Sequence, residues 1–504
     1  ILLVTWLLAQ GLVLPPCTLQ AAPCAPAPLQ PNQGCSVIYA TDGELMLGGN
    51  NEAYYNPLTK VWFIPAEASA FGRVYFGFND YHAQGGMNDQ GLFFDGLGLE
   101  DTFPVSKEGK KRYLGNLVDR ARRECATVDC VVGLFERYYT SDSWWWQYLF
   151  GDASGESAIV EAGTIIRQQG GYQVVTNFAQ STTPPEESRC WRYKTATEYL
   201  EEMETLSVEA MRDLLDAVHQ NGPAHTLYSS VYDLKNKLVY LYLFYNYEDL
   251  VVLDLEEELA QGYHAYDLPA LFPPNKAAET FARPKLMRYE SLVESRLDEN
   301  LDPAILQAYA GKYEIPEGWG PPGLAMNVIP GERSLTLRFP DYRRHELFPE
   351  LAAEFYHVAF QESTFVIAYE ARFGLDQDRR VEYLEMFSDQ DTVRLNRLGP
   401  ESFVPEVATA QPAATPEPAA TATATATPVP SFTPTPTVTA NPTSTLGPTT
   451  SPTATSGSTG PDQASPNDPG EGARFPWAWL ILFVVILGAT GAWVAIRRRG
   501  AGAT

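Results

Sequence analysis

A long stretch near the end of the chain limits what the rest of it can fold into. Residues 404–472 consist almost entirely of Pro, Thr, Ser and Ala, as in ATPEPAATATATATPVPSFTPTPTVTANPTSTLGPTT. Such a segment has too few apolar side chains to offset the entropy lost on folding. Its many prolines favour an extended, semi-rigid backbone. We therefore predict a disordered stalk, and the folded part of the chain must precede it.

Both ends of the chain carry membrane signals. Residues 475–496, FPWAWLILFVVILGATGAWVAI, contain no charge and are long enough to span a bilayer core. Three arginines follow, and such residues mark the cytoplasmic side. Residues 1–34 begin with the apolar run ILLVTWLLAQGLVL, which resembles part of a secretory signal. We predict a signal fragment and propeptide at 1–34, one transmembrane helix at 475–496, a cytoplasmic tail at 497–504, and an extracellular folded part anchored in the cell membrane.

Charge and motifs exclude several classes of function. The formal net charge of −26 disfavours nucleic acid as a partner, because phosphates need Lys and Arg partners. The six histidines are scattered, without the HExxH pattern of a zinc site. The sequence contains neither GxSxG nor a phosphate-binding GxxxxGK[ST] loop. We therefore expect no metal and no organic cofactor.

Residues 35–272 have the pattern of a first globular unit. Short apolar runs such as CSVIYAT, RVYFGF and SAIVEAG predict strands, and Asp42-Gly43 predicts a hairpin turn. The segments NLVDRARRECATVDCVVGLFERYY and LSVEAMRDLLDAVHQ have helical spacing, with Ser207 as N-cap of the second. Strands and helices come in clusters, which predicts an α+β layered fold with antiparallel sheets.

A second unit is predicted at 301–400, after a linker at 273–300. Short strands at regular spacing, among them SLTLRFP, EFYHVA and VEYLEMF, are typical of a small β-barrel or sandwich. We expect this unit to be accessory.

Cys35 follows Gly34 at the start of the first predicted strand, and two interpretations compete. Cysteine is a small hydrophobe that often lies in cores. Alternatively, the mature protein begins here. A thiol needs a base to become a nucleophile, and a free α-amine, with a pKa of about 7.7–8.0, lies within reach of its own side chain. The second interpretation requires cleavage of the bond between Gly34 and Cys35.

Five further motifs follow Cys35 in an order that resembles one known family, the N-terminal-nucleophile (Ntn) cysteine hydrolases of linear amides. This group includes choloylglycine hydrolase, penicillin V acylase and the isopenicillin-N acyltransferases. The resemblance runs to about residue 247 and implies an αββα sandwich. The matching motifs are GNNEAY at 49–54, GMNDQGL at 86–92, DASGE at 152–156, Thr176-Asn177, and SRCWR at 188–192.

The resemblance implies a role for each matching residue. Cys35 matches the nucleophile, with its own amine as base. Asn177 matches an oxyanion-hole donor, Arg192 an arginine that orders the site, and Asn51 a polar residue near the nucleophile. From the residues alone, Asn51 and Asn177 are also compatible with turns, and Arg192 with an ordinary surface position or an i,i+4 partner on its helix.

The sequence also departs from the family pattern. Asn50 stands where much of the family has Arg, and Ala53 stands where nearly all members have Asp. That Asp normally holds the amine and thiol in position, and Glu52 or Asp95 is the candidate substitute. Gly98 stands where bile-salt hydrolases have a second oxyanion Asn.

The other cysteines are predicted to be structural. Cys125 and Cys130 are five residues apart on an apolar helix face, so we expect core cysteines. An extracellular location leaves a disulfide as the alternative. Cys190 is also expected to be buried.

These observations together predict a secreted, membrane-anchored hydrolase of linear, non-peptide amides that processes itself at Gly34–Cys35. Its partner would be a small-molecule amide, bound by aromatic side chains including Tyr54, Phe94 and Trp144. Two alternatives are an acyltransferase of the acyl-CoA or isopenicillin-N type and a surface binding module whose catalytic site has decayed.

Overall fold

A computed structural model describes residues 34–140, 143–316, 323–361, 363–387 and 392–400, without the side chains of 100–102 and 143–145. These residues belong to one compact unit. The predicted signal fragment, stalk and transmembrane segment lie outside the described residues. Within the described ranges, no helix combines the length and apolarity that crossing a membrane requires.

In the described residues up to 272, sixteen strands, five α-helices and two short 3₁₀ helices, Pro185–Glu187 and Leu268–Leu271, make up the first part of the fold. The strands are β1 Ser36–Thr41, β2 Met46–Tyr54, β3 Thr59–Ile64, β4 Arg73–Phe78, β5 Ala83–Asn88, β6 Phe93–Pro104, β7 Lys111–Arg112, β8 Tyr138–Tyr139, β9 Ser143–Gly151, β10 Ser157–Glu161, β11 Thr164–Arg167, β12 Tyr172–Thr176, β13 His225–Asp233, β14 Leu238–Leu243, β15 Asn246–Asp254 and β16 His264–Asp267. The helices are α1 Leu117–Glu124, α2 Val128–Arg137, α3 Trp191–Glu202, α4 Val208–Ala217 and α5 Leu255–Ala260.

Most of these strands form two antiparallel sheets. One has six strands in the order β12-β1-β2-β13-β14-β15, and the other has eight in the order β11-β10-β9-β6-β5-β4-β3-β16. The predicted hairpin at Asp42-Gly43 joins β1 to β2. Strands β1 and β2 are inner strands of their sheet. The first motifs of the predicted site therefore lie inside the sheet and not at its edge.

The two sheets face each other, and helices cover their outer sides. Val37 and Tyr39 of β1 point into the core between the sheets, whereas Ile38 and Ala40 pack under α3 and α4. Helices α1 and α2 cover the eight-stranded sheet. Successive side chains of a strand point to opposite faces, so an apolar β1 is buried on both sides. The described residues therefore have the predicted αββα order of layers.

The segment around residue 125 that was predicted as one helix forms two helices, and its two cysteines are bonded to each other. Asn116 caps α1 and Thr127 caps α2, so the helix is interrupted between them. Cys125 and Cys130 form a disulfide with a Cα–Cα distance of 5.4 Å. Five residues of continuous helix would span about 7.5 Å along the axis. The break therefore brings the two thiols together, and the prediction of unpaired core cysteines was wrong. Cys190 is buried and free, as expected.

In the described residues after 272, a closed barrel of eight strands is preceded by two helices. Helix α6 Lys276–Glu294 lies within the segment expected as a linker, and α7 Pro303–Tyr309 follows it. The barrel strands are β17 Gly311–Glu314, β18 Ala325–Pro330, β19 Leu335–Arg338, β20 Arg344–Pro349, β21 Glu354–Gln361, β22 Thr364–Leu375, β23 Val381–Phe387 and β24 Thr392–Leu398.

The barrel packs against the strand that carries the GNNEAY motif. Tyr54, at the end of β2, contacts the ring of Phe360 from β21 at a centroid distance of 5.7 Å. Tyr55 and Leu58 join the same apolar cluster, together with Tyr289 of α6. The barrel thus supports the end of β2 from outside the two-sheet core.

Candidate active site

Cys35 lies one residue before β1, and its side chain points into the core between the sheets. Its Sγ lies 3.6 Å from Glu52 Oε1, and it accepts a hydrogen bond from the backbone N–H of Ala53 at 3.4 Å. Ser36 pairs with Asn51 across the two strands, so the next pair outward brings Cys35 beside Glu52. The carboxyl group nearest the thiol therefore belongs to Glu52, one residue before the Ala53 that interrupts the family pattern.

Burial disfavours the charged forms of both groups. It raises the pKa of the Cys35 thiol well above its usual value, and the neighbouring Glu52 charge adds to the rise. Burial likewise raises the pKa of Glu52 from 4.5 to about 8. The second carboxyl oxygen of Glu52, Oε2, has no hydrogen-bond partner among the described residues. Below about pH 8 the thiol and the carboxyl group therefore both keep their protons, and the buried pair is uncharged.

A second buried carboxyl group lies in the same core. Asp95 on β6 is fully buried, and neither of its oxygens has a hydrogen-bond partner within the described part of the chain. Burial and the Glu52 charge raise its pKa well above the ordinary value. A Cβ on Gly85, its neighbour across the strands, would overlap Asp95 Oδ2 and lie 2.9 Å from its Cγ, so glycine makes room for this carboxyl.

Arg192 and Asn177 meet at the backbone of Cys35. Arg192, in the first turn of α3, is buried and donates to the Cys35 carbonyl and, at 3.1 Å, to Ser36 Oγ. Its other terminal nitrogen donates to Asn177 Oδ1 at 3.2 Å. Asn177 Nδ2 in turn donates to the Gly98 carbonyl at 2.9 Å. The guanidinium therefore fixes the orientation of the Asn177 amide, with its N–H groups turned away from Arg192.

Gly34 fits this site because it has no side chain. Its φ is +139°, and a Cβ there would overlap Asn177 Oδ1 and lie 2.8 Å from Asn177 Nδ2. An L residue would thus be strained and would displace the Asn177 amide. The Gly34 carbonyl accepts a hydrogen bond from Gln220 Nε2. Gln220 lies between α4 and β13, and sequence analysis did not identify it because no local motif marks that turn.

Asn51 points away from the nucleophile. Its Nδ2 donates to the Leu215 carbonyl at 2.8 Å, and its Oδ1 accepts from Ser229 Oγ at 2.6 Å and from Tyr247 at 3.3 Å. These partners lie on the helix-covered face of the sheet, whereas Cys35 is on the inner face. The strand alternation separates Asn51 from the thiol, contrary to the expectation from the motif.

The three predicted substrate-binding aromatics have different positions. Tyr54 is half-buried between Phe78 of β4 and Phe360 of the barrel, directly after the residues that contact Cys35. Phe94 does not reach the site, because it points under α1 and α2, where the Arg122 guanidinium lies 4.8 Å from its ring. The side chain of Trp144 lies outside the described residues.

The described side chains contain no cluster of three or more His, Cys, Asp or Glu residues arranged to hold a metal ion. The arrangement instead provides a thiol, a carboxyl beside it, a buried guanidinium and two side-chain amides around the Gly34–Cys35 peptide. These groups can transfer a proton and donate hydrogen bonds to carbonyl oxygens.

Comparison with known proteins gives structural similarity only. No protein-family model matches the chain, and no curated protein matches it. Penicillin V acylase from Agrobacterium tumefaciens is similar at 18% identity and a TM-score of 0.36, over 48% of this chain and 98% of that chain. Two variants of conjugated bile acid hydrolase from Clostridium perfringens are similar at 16% and 17% identity, with TM-scores of 0.39 and 0.37. They cover 48% of this chain and 99% and 98% of their own.

Proposed function

We propose that the protein is a self-processing hydrolase of linear amides in which Cys35 becomes the N-terminal nucleophile. One observation supports the proposal: the carbonyl oxygens of Gly34 and Cys35 each accept a hydrogen bond from a buried side chain, and a buried carboxyl group lies beside the thiol. Arg192 donates to the Cys35 carbonyl, Gln220 donates to the Gly34 carbonyl, and Glu52 lies beside the thiol. A cysteine that only fills a core has no need of such partners.

The same geometry supports a division of roles in the processed enzyme. The freed α-amine of Cys35 takes the thiol proton, and Sγ attacks the carbonyl carbon of the substrate. The resulting oxyanion receives a hydrogen bond from the Asn177 amide, which Arg192 orients. The amine product leaves with the proton, and a thioester remains on Cys35. Water activated by the α-amine then releases the acid and restores the thiol.

Glu52 takes the place of the carboxylate that the family pattern puts at Ala53. It lies 3.6 Å from the thiol and would lose its proton to become the charged partner of a protonated α-amine at Cys35. This supports retained activity over the alternative of a decayed binding module. Secretion and anchoring through 475–496 are part of the proposal and rest on the sequence. The proposal of a small-molecule amide as partner also rests on the sequence.

The test compares the N-terminus and intact mass of the wild-type chain with those of Cys35→Ala. Cys190→Ala is the matched control, because Cys190 is the other buried free cysteine among the described residues. We expect the wild type and the control to begin at Cys35 and the Cys35→Ala chain to keep residues before it. Processed protein is then incubated with N-acyl amines, with release of free amine as the readout.

Two results would contradict the proposal. If the wild type keeps an internal Cys35, no α-amine is available as the base. If the Cys35→Ala chain is cut at the same bond, another protein performs the cleavage. Addition of a second amine during turnover separates hydrolysis from acyl transfer, because only an acyltransferase gives the new amide as its main product.

A further inference from the structure

The Gly34 carbonyl has a hydrogen-bond donor that the proposed amide hydrolysis does not use. Gln220 Nε2 donates to this oxygen, across 186 residues of sequence. Gln220 is buried, with 7% of its surface exposed. After processing, Gly34 leaves, so the hydrogen bond from Gln220 to the Gly34 carbonyl exists only in the uncut chain.

The backbone of Gln220 is anchored to a buried strand. The Gln220 N–H donates to Thr226 Oγ1 at 2.9 Å, and the Thr226 N–H donates back to the Gln220 carbonyl at 2.8 Å. Thr226 is fully buried in β13, which pairs with β2. This two-way link ties the end of the α4 turn to the central strand. The side chain therefore extends from an anchored backbone, and its Nε2 already donates to the Gly34 carbonyl before any reaction, as an effective oxyanion donor must.

Asn177 is less suited to the same carbonyl. Its Nδ2 donates to the Gly98 carbonyl and its Oδ1 accepts from Arg192. It lies against the Cα of Gly34, as the short distances to a Cβ built there demonstrate. Among the described hydrogen bonds, the one received by the Gly34 oxygen comes from Gln220.

We propose that Gln220 is the oxyanion donor for self-cleavage of the Gly34–Cys35 bond, distinct from the Asn177 donor of the mature enzyme. This inference rests on the proposed function, since it concerns the step that creates the N-terminal cysteine. It assigns a catalytic residue to the precursor, because Gln220 contacts the carbonyl oxygen that would become negatively charged.

Self-cleavage of the Gly34–Cys35 bond consumes one water molecule and needs no other reagent. In chains whose Glu52 is ionised, the thiol proton passes to its carboxylate, and Sγ attacks the Gly34 carbonyl carbon, forming a five-membered ring with an oxyanion on the Gly34 oxygen. The C–N bond then breaks as the Cys35 nitrogen takes the proton from Glu52. Gly34 is now held as a thioester on Sγ. Water hydrolyses this thioester to the Gly34 carboxylate, the free thiol and the free α-amine.

The experiment follows cleavage of the full chain with time after cell-free synthesis, by intact mass. Gln220→Met keeps the approximate length of the side chain without an N–H donor, and Gln220→Glu is a second variant that keeps a polar side chain. The control is Gln180→Met, because Gln180 also donates from its side chain to a backbone carbonyl, that of Val174. Thermal unfolding of each uncut chain checks that it is folded.

We expect Gln220→Met and Gln220→Glu to slow cleavage by about 10²–10³-fold, the usual loss when one oxyanion donor is removed. The control should cleave at the wild-type rate. Neutral hydroxylamine, which cuts thioesters, should not restore cleavage, because no thioester has formed.

Three results would overturn the assignment in distinguishable ways. Cleavage of both Gln220 variants at the wild-type rate removes Gln220 from the mechanism and leaves the proposed hydrolase intact. Slow cleavage that hydroxylamine restores places Gln220 after thioester formation, which also contradicts it. A wild-type chain that stays uncut, or a Cys35→Ala chain that is cut, removes both proposals together.

Discussion

The buried carboxyl group of Glu52 should make the uncut chain less stable as the pH rises. Its pKa is raised from 4.5 to about 8 because burial penalises the charged form. The folded chain therefore binds this proton more tightly than the unfolded chain does. The stabilising contribution is fully present below about pH 4.5 and is lost as the pH rises through about 8. The substitution Glu52→Gln places an amide that cannot ionise at this position and should remove the part of the pH dependence that Glu52 contributes.

The magnitude follows from the size of the pKa difference. Each tenfold change in a protonation equilibrium is worth about 1.4 kcal/mol, so the free energy of unfolding should fall by that amount per pH unit across the window. Between about pH 4.5 and pH 8.5 the total loss from Glu52 is about 5 kcal/mol, to order of magnitude. Asp95 contributes in the same direction, because burial also raises its pKa. A variant at Glu52 therefore reduces the slope without abolishing it.

The assay is urea unfolding of Cys35→Ala and Cys35→Ala/Glu52→Gln chains from about pH 5 to pH 9, the window in which Glu52 ionises. Cys35→Ala removes the proposed nucleophile and so should keep the chain uncut, and it removes a hydrogen bond that lowers the Glu52 pKa. Glu44→Gln in the same background is the matched control, because Glu44 is exposed. We expect the Glu52→Gln curve to flatten by about 1 kcal/mol per pH unit and the control curve to follow the parent. Parallel curves for all three chains would refute a raised Glu52 pKa and, with it, the burial of this carboxyl group.

Two further predictions test the packing around the site. Gly34→Ala should slow self-cleavage at least about tenfold, because at a φ of +139° the new Cβ would overlap the Asn177 side chain and shift the Gly34 carbonyl away from Gln220. Intact mass against time measures this, with Gly43→Ala as control because a Cβ there meets nothing within 4 Å. Phe360→Ala should lower the free energy of unfolding by about 3 kcal/mol, because Phe360 is buried against Tyr54. Urea unfolding measures this change, with Leu351→Ala as the control because Leu351 is exposed. An unchanged midpoint for Phe360→Ala would contradict the packing of the barrel on β2.

Local sequence patterns were sufficient to predict most elements of the fold. The first hairpin, the Ser207 cap and most strands of the barrel follow from turn residues, capping residues and alternation, which depend on near neighbours. The barrel strand β18 was not predicted. The prediction from apolar spacing failed at Cys125, because the helical spacing of apolar residues continues where the helix itself is interrupted. Thr127 capping and the disulfide decide that geometry, and neither alters the apolar periodicity.

The site was predicted in part. Motif order placed Cys35, Asn177 and Arg192 together, and the structure has them in one hydrogen-bonded group. The motif alone could not separate Asn51 from Glu52. Adjacent strand residues point to opposite faces, and only the pairing of Ser36 with Asn51 decides which of them faces the thiol.

Composition and short-range periodicity establish that a Gly-Cys pair opens a strand, that strands and helices fall into clusters, and that residues 404–472 lack the apolar side chains for a core. The surroundings of Cys35 depend instead on long-range packing, because its partners come from β2, α3 and the α4–β13 turn. The hydrogen bonds at the Gly34–Cys35 peptide join residues 17 to 186 positions apart in the chain. Strand register and the packing of two sheets bring Glu52, Asp95 and Gln220 into the surroundings of Cys35, and no local sequence pattern encodes this proximity.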